Sequence, residues 1–322
     1  MKQAALLVAH GTVDDLSELP AFAARIRRGN PAPPELLAEL RRRYEAIGGR
    51  SPLNAINERL AARVQERIRV PARIANRLAR PFVKDVLAEL AGGGVERVVV
   101  LPLAQFSAHV YAEAVTAAAA ELALTPGGAR VEVASAPSWG DDPGLLAAYA
   151  DAISASLAAI DDLARTTVVL SAHSLPTAAT QAGDPYEREF RAAASSVAAR
   201  LVAQQERGGA RSARHVVAFQ SQGMSSGPGG RPVEWLGPDL LTTIEDCRAR
   251  GDAHVVFAPI GFLADHVEIL YDLDIEARAW VEERGMAYHR AGSLNDSEPL
   301  VRVLAGLATT LLHRPHGPPD PS

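Results

Sequence analysis

The sequence predicts an α/β protein built from two Rossmann-like halves, each a doubly wound parallel sheet, related by internal duplication and enclosing a ligand cleft. A repeated pattern is the first reason. Leu6 to Thr12 and Val168 to Pro176 are apolar runs of strand length that break into small residues just after a histidine. A second pair of apolar runs, 98–103 and 255–260, is separated by a similar length of chain. Two matching pairs indicate two related halves.

The alternation of strand and helix patterns is the other reason, because it is typical of a parallel sheet covered by helices on both faces. In the first half, apolar runs bounded by turn residues predict strands at 4–9, 69–75, 96–103 and 130–135. Helical spacing of apolar residues predicts helices at 33–46, 53–67, 80–91, 109–123 and 143–160. The glycine run at 92–94 supports one helix end, since glycine is favoured just past a helix C-terminus.

The second half repeats this alternation. Its predicted strands lie at 166–172, 214–220, 253–260 and 286–290. Its predicted helices lie at 186–206, 238–250, 266–283 and 297–312, with glycines at 208–209 ending the first of them. We therefore expect an N-terminal half at 1–150 and a C-terminal half at 151–312. The stretch 225–233 predicts an exposed insertion, and 313–322, with four prolines, predicts a disordered tail.

Composition limits the class of protein. A formal net charge of −5 without a long basic run is unfavourable for binding nucleic acid. The one cysteine, Cys247, excludes a disulfide framework and a cluster held by four cysteines of one chain. The N-terminus lacks a secretory pattern, and no apolar run reaches the ~18 residues that a membrane-spanning helix needs. We expect a cytoplasmic protein.

Titratable residues lie where strand ends are predicted. His10 and His173 each follow an apolar run, and open α/β sheets bind ligands at the carboxyl ends of their strands. Glu268, Asp272 and Glu276 have i, i+4, i+8 spacing, which places them on one helix face. Imidazole and carboxylate together can bind a divalent ion or transfer protons. The alternatives are turn hydrogen bonds for the histidines and a solvated face for Asp272 and Glu276.

Other catalytic patterns are absent from the sequence. Phe219 stands where the first glycine of a G-x-S-x-G elbow would be, and there is no G-x-x-x-x-G-K-[ST] loop. No G-x-G-x-x-G follows the first strand, and no H-E-x-x-H occurs. Nucleotide and hydrolase chemistry are therefore disfavoured.

Several longer motifs occur together in the order found in one family. The segment Val169 to Tyr186, with Ser-Ala-His-Ser-Leu-Pro followed by Gly-Asp-Pro-Tyr, resembles the ferrochelatase signature. The likeness extends to segments at 26–29, 43–53, 220–221, 235–238 and 261–276, so that it covers about residues 5 to 310. The resemblance implies a lyase of the metal-chelatase class that inserts Fe²⁺ into a free porphyrin, protoporphyrin IX or coproporphyrin III, in haem biosynthesis.

The resemblance also implies roles for the residues singled out above. His173 and Glu268 would be catalytic, facing each other from opposite walls at the metal. Asp272 and Glu276 would continue toward the surface as a route for metal or protons, and His10 would contact metal and porphyrin. Arg27, Arg28 and Arg43 are expected against the porphyrin propionates, because guanidinium binds carboxylate in a fork. Tyr44 and Ser51 are expected at the propionates with them.

His10 departs from the family pattern, since relatives acting on coproporphyrin often carry Tyr there and others an apolar residue. The opening Leu-Val-Ala-His-Gly also resembles the sirohydrochlorin chelatases, which insert cobalt or iron using a histidine there. A cobalt or nickel chelatase for a sirohydrochlorin-like tetrapyrrole therefore stays open, as does a haem-binding protein without turnover.

Cofactor and partner expectations follow from the same resemblance. The partners would be a porphyrin and a divalent metal, with Fe²⁺ as substrate, no tightly bound cofactor and no iron–sulfur cluster. We expect a monomer that binds no nucleic acid and meets a membrane or another haem-pathway enzyme only transiently.

Overall fold

Two four-stranded parallel sheets form the framework in the computed structural model, which describes residues 1–125, 127–207, 212–223 and 232–314. One sheet contains β1 (Gln3–Ala9), β2 (Ala72–Asn76), β3 (Arg97–Pro102) and β4 (Glu132–Ser135), in the order β2-β1-β3-β4. The other contains β5 (Thr166–His173), β6 (Arg214–Gln220), β7 (His254–Ala258) and β8 (Ala287–Arg290), in the order β6-β5-β7-β8. Every pairing is parallel, and the two orders match. The prediction of two α/β halves, each with a parallel sheet, is confirmed.

Helices connect these strands. The α-helices are α1 (Leu19–Ile26), α2 (Pro34–Ala46), α3 (Leu53–Ile68), α4 (Val83–Gly92), α5 (Ala108–Leu124), α6 (Pro143–Leu157), α7 (Thr177–Gln181), α8 (Tyr186–Arg207), α9 (Leu240–Arg250), α10 (Arg278–Glu283) and α11 (Glu298–Leu312). Short 3₁₀ turns occupy Leu16–Glu18 and Leu163–Arg165. All eight predicted strands are present, and the predicted helices agree within a few residues except at 266–283.

The helix pattern differs from the prediction at three places. The sequence did not predict α1 or α7, which have 8 and 5 residues, too few to show a helical period. The prediction of one regular helix over 266–283 is wrong. Ile269–Ala277 is a π-helix with i→i+5 bonding, and α10 continues directly from it. Apolar spacing over two turns does not distinguish these two helix types.

Contacts divide the chain into two compact units, and neither is one continuous stretch. The first unit comprises Met1–Thr12, Asn54–Trp139 and the chain from Asp296; the second comprises Val13–Leu53 and Gly140–Asn295. The helix α6 therefore belongs with β5–β8, whereas α11 returns to the first unit and packs against β3. The predicted halves, 1–150 and 151–312, separate the same two sheets, but residue 150 lies inside α6.

Each sheet is buried on both faces, which explains why its strands are continuous apolar runs in the sequence. In the first unit, Leu6 and Val8 of β1 pack with Val98 and Val100 of β3 and with residues of α4 and α5. In the second unit, a comparable cluster joins β5 and β7 to α9, the π-helix and α10. Reactive side chains can therefore be exposed at the polar ends of the strands.

No helix in the described ranges is long and apolar enough to cross a membrane. The predicted glycine cap at 208–209 lies outside the described residues. Most of the predicted insertion at 225–233 and most of the predicted tail at 313–322 lie outside them too.

Candidate active site

His173 is the last residue of β5, at the carboxyl end of the second sheet. Its carbonyl oxygen accepts a hydrogen bond from the Tyr186 hydroxyl at 2.9 Å. The next backbone N–H, of Ser174, donates to the Gln220 carbonyl of β6 at 2.7 Å. These contacts fix the backbone around His173, while its side chain stays 35% exposed. The ring is therefore held in place and still accessible.

Glu268 is the direct partner of this imidazole. Nδ1 of His173 lies 3.1 Å from Oε2 of Glu268, and Nε2 of His266 lies 3.6 Å from the same oxygen. The Glu268 side chain is 33% exposed. The expectation that His173 and Glu268 face each other from opposite walls is wrong, because they form one hydrogen-bonded pair. Both residues belong to the second unit.

A glycine brings the Glu268 segment close to β5. The Gly261 N–H donates to the Ser171 carbonyl at 2.9 Å. A Cβ at Gly261 would lie 2.4 Å from the Cβ of Ala172, well inside van der Waals contact. Only glycine allows this approach without a backbone shift. The Gly261-Phe262 step in the sequence is therefore part of what places Glu268 beside His173.

The pair has complementary pKa shifts. Partial burial opposes protonation of His173, but the charge and hydrogen bond of Glu268 raise the pKa of His173 above its ordinary value. Burial also opposes ionisation of Glu268, yet His173 and His266 hold the pKa of Glu268 well below its usual range. An ionised Glu268 accepts from Nδ1–H, so Nε2 of the neutral His173 carries the free lone pair. That nitrogen can accept a proton or contact a metal ion.

Asp272, one turn further along the π-helix, is buried, with its side chain 5% exposed. Its Oδ1 accepts from Nη1 of Arg43 at 2.9 Å, and its Oδ2 accepts from the Ser221 hydroxyl. Burial, reinforced by the negative charge of Glu268, raises the pKa of Asp272 to about 7. The solvated-face alternative therefore does not apply to Asp272, whereas Glu276 is half-buried.

Arg43 is held by acidic groups of the protein itself. Besides Asp272, it donates from Nε to Oε1 of Glu39 at 2.7 Å, and its guanidinium lies 5.0 Å from the centre of the Tyr271 ring. Its charge thus compensates the carboxylates of α2 and the π-helix. This engagement leaves the predicted propionate contact for Arg43 without direct support from the structure.

The other predicted substrate residues occupy varied positions. Tyr44 and Ser51 are buried, each about 1% exposed. Arg27 is half-buried at the end of α1, and Arg28 is exposed with a left-handed φ of 56°. His10 is exposed where β1 ends, in the first unit.

The sequence did not predict a role for Ser221. Its only signal was membership of the Gln-Ser step at 220–221 in the family likeness. In the structure it has a left-handed φ of 59° at the end of β6 and donates to Asp272. Among the residues described, no three of His, Cys, Asp or Glu form a group that would hold a metal ion by themselves.

The raised pKa of Asp272 predicts a pH-dependent effect of Asp272→Asn on stability. Because the folded pKa of about 7 lies above the ordinary 3.8, folding favours the protonated acid. The associated stability is present at acid pH and is lost as the pH rises through about 7. The melting temperature of the variant, minus that of the parent, should therefore be more positive at pH 8.5 than at pH 5, measured by calorimetry. Equal differences at both pH values would contradict the shift.

The fold is shared with chelatases of known structure. The sirohydrochlorin chelatase SirB from Bacillus subtilis subspecies spizizenii, in complex with cobalt, superimposes with a TM-score of 0.54 at 12% identity, covering 97% of this chain and 96% of that chain. At this identity the likeness shows the fold alone. The chain therefore has the fold of this chelatase.

Sequence comparison is more specific. The family model described as Ferrochelatase matches residues 2–312. A ferrochelatase of Acidobacterium capsulatum is 34% identical, covering 97% of this chain and 95% of the relative. A coproporphyrin III ferrochelatase of Geobacillus kaustophilus is 35% identical, covering 95% of each chain. The chain belongs to the ferrochelatase family, and it is a lyase that inserts Fe²⁺ into a porphyrin in haem biosynthesis.

Proposed function

We propose that this chain inserts Fe²⁺ into coproporphyrin III, giving coprohaem and two protons, with His173 and Glu268 as its catalytic residues. The 3.1 Å contact between His173 Nδ1 and Glu268 Oε2 is the observation that carries the assignment. The choice of porphyrin is supported by the name of the Geobacillus kaustophilus relative. Family membership favours this function over a haem-binding protein without turnover.

The reaction needs a group that takes pyrrole protons while the metal enters. Nε2 of neutral His173 can accept such a proton, because Nδ1–H stays bonded to Glu268. The resulting imidazolium lies beside an ionised carboxylate, so the pair becomes neutral instead of gaining an isolated charge. This Coulombic gain is the physical reason to place a carboxylate behind the imidazole.

The acidic groups of the π-helix suit a hydrated divalent cation. Ionised Glu268 and, above a pH of about 7, Asp272 offer oxygen ligands that can replace water of the incoming metal substrate. Glu276 lies one turn beyond, half-buried. We infer a path for metal or protons along Glu276, Asp272 and Glu268, with Arg43 limiting the accumulated negative charge.

Porphyrin carboxylates need cationic partners, and Arg28 is the exposed candidate. Arg28→Leu should weaken coproporphyrin binding about tenfold, the worth of a hydrogen bond between charged groups. Esterification of the porphyrin carboxylates should weaken binding to the parent. It should weaken binding to Arg28→Leu much less. Binding is measured by fluorescence quenching, with Arg41→Leu on α2 as control. Equal ester penalties in parent and variant would show that Arg28 does not bind propionates.

His10 predicts an effect on metal choice. Imidazole suits Co²⁺ and Zn²⁺ as well as Fe²⁺, and His10 is exposed at the end of β1. If it contacts the metal, His10→Leu should shift the ratio of Co²⁺ to Fe²⁺ insertion and change the Soret band of bound product, whereas His10→Tyr should keep iron activity. Unchanged ratios and spectra in a folded His10→Leu protein would assign His10 to the turn at Gly11.

The main test is an anaerobic absorbance assay of the purified protein. Fe²⁺, Co²⁺ and Zn²⁺ are each offered with coproporphyrin III, protoporphyrin IX and sirohydrochlorin. We expect the largest kcat/KM with Fe²⁺ and coproporphyrin III. A preference for Co²⁺ and sirohydrochlorin would establish the second candidate function, which the exposed His10 favours.

We further propose that the protein acts in the cytoplasm as a monomer, with iron as substrate, no resident cluster and only transient contact with a membrane or pathway enzyme. The single cysteine supports the part about the cluster. Sedimentation of the purified protein tests the monomeric state. Iron and sulfide analysis tests for a resident cluster.

A further inference from the structure

Arg290, the last residue of β8, contacts two aspartates on either side of the candidate active-site residues. Its Nη1 donates to Oδ1 of Asp265 at 3.0 Å, and its Nε donates to Oδ1 of Asp274 at 2.8 Å. The segment between these aspartates, called here the 265–274 segment, carries Glu268 and Asp272. One side chain outside this segment therefore joins both of its ends.

Both aspartates are fixed by further contacts from β8 and the loop after it. Asp265 accepts from the Ser293 hydroxyl at 2.7 Å and from Nδ2 of Asn295 at 3.1 Å, and its own N–H donates to Oδ1 of Asn295 at 2.8 Å. Asp274 accepts from the Tyr288 hydroxyl at 2.9 Å. Arg290 is the cation shared by the two networks.

Arg290 and its two aspartates are partly buried, so loss of the Arg290 charge should disturb both carboxylates. Its side chain is 18% exposed, and those of Asp265 and Asp274 are 19% and 24% exposed. Partly buried carboxylates that lose their cation must gain water or move apart. If the two aspartates move apart, the ends of the 265–274 segment shift relative to β5, where His173 is fixed.

We propose that Arg290 is a positioning residue for metal insertion: by binding Asp265 and Asp274 together, it sets where Glu268 and Asp272 meet the incoming metal. The inference rests on the proposed function of those two carboxylates. A guanidinium has donors on separate nitrogens in a rigid plane and can bind two carboxylates at once, whereas an ammonium is a compact point charge. Arginine is therefore the residue that this geometry requires.

The same unit contains a matched control. Arg284 is 17% exposed and binds two acids through three nitrogens, with Nε 2.8 Å and Nη2 2.7 Å from Oε1 of Glu245 and Nη1 3.8 Å from Oε2 of Glu283. Neither partner belongs to the 265–274 segment. Loss of Arg284 thus removes an arginine as buried as Arg290, with its ion pairs to the more exposed Glu245 and Glu283, without touching the ends of that segment.

The experiment compares Arg290→Gln, Arg290→Lys and Arg284→Gln in the full chain, by kcat, by the KM for Fe²⁺ and for coproporphyrin III separately, and by melting temperature. Arg290→Gln should lower kcat about tenfold or more and raise the KM for Fe²⁺ several-fold, with the KM for porphyrin within about twofold. Arg290→Lys should be intermediate. Arg284→Gln should keep both KM values and kcat, whatever its melting temperature.

The KM split separates positioning from general stability, because partial unfolding lowers the active fraction without changing the KM for one substrate alone. If Arg290→Gln does not fold, Asp274→Asn keeps the Arg290–Asp265 contact and should show the same split to a smaller degree. Unchanged Fe²⁺ KM in the folded Arg290 variants, or kinetics equal to those of Arg284→Gln, would overturn the proposal. A parent without iron insertion activity would instead overturn the proposed function.

Discussion

His173→Ala is expected to lower iron insertion by about 10²–10⁴-fold, the usual worth of a positioned proton-transfer group, while porphyrin still binds. Alanine removes the nitrogen that we propose accepts the pyrrole proton, and it leaves Glu268 without its main partner. Turnover is followed anaerobically by absorbance, and porphyrin binding by fluorescence quenching in the same preparation.

A suitable control is His215→Ala, which removes a half-buried imidazole from β6 of the same sheet. It should keep turnover near that of the parent. His173→Ala turnover within about tenfold of the parent, a barrier change below ~1.4 kcal/mol, would remove His173 from the chemistry.

Glu268→Gln is expected to lose most activity with little change in porphyrin binding. The amide keeps the shape of the side chain, but it cannot hold a negative charge beside the imidazolium. Because Glu268 raises the pKa of His173, its loss should lower that pKa. In the proposed mechanism neutral His173 is the active form, so activity should rise with pH through this pKa. The acid limb of the residual kcat/KM profile should therefore move to lower pH.

Two substitutions in the π-helix test whether the effect of Glu268→Gln is specific to that residue. Asp272→Asn and Glu276→Gln should mainly raise the Fe²⁺ concentration needed for half-maximal rate, since they lie further from His173 along the helix. If all three substitutions had the same effect, the carboxylates would not have distinct roles. A pH profile of Glu268→Gln equal to that of the parent would contradict the coupling to His173.

The sheets could be predicted because their strands are buried on both faces and leave continuous apolar runs in the sequence. His173 followed from the same rule, since it ends such a run at β5. The small residues just after His173 also predicted the turn at which this strand ends. Strand ends in a parallel sheet are thus accessible to sequence reasoning even when the contacts between side chains are not.

The contacts could not be predicted, because they depend on distant segments. The π-helix has the same apolar spacing as a regular helix, so neither its type nor the burial of Asp272 shows in the pattern. Arg43 was expected against propionates for its charge, yet its partner Asp272 lies 229 residues away along the chain. Arg290 gave no signal at all, because its importance comes only from the two aspartates that it joins.

The return of α11 to the first unit has a consequence for how the chain folds during synthesis. The strands β1–β4 are complete by residue 135, but the helix that packs against β3 begins at Glu298. Arg63 and Arg67 of α3 bind Glu298 at the start of that helix. Until the last part of the chain leaves the ribosome, β3 lacks the helix that packs against it and these arginines lack their carboxylate. A chain truncated before α11 should therefore aggregate, even though every strand of both sheets is present.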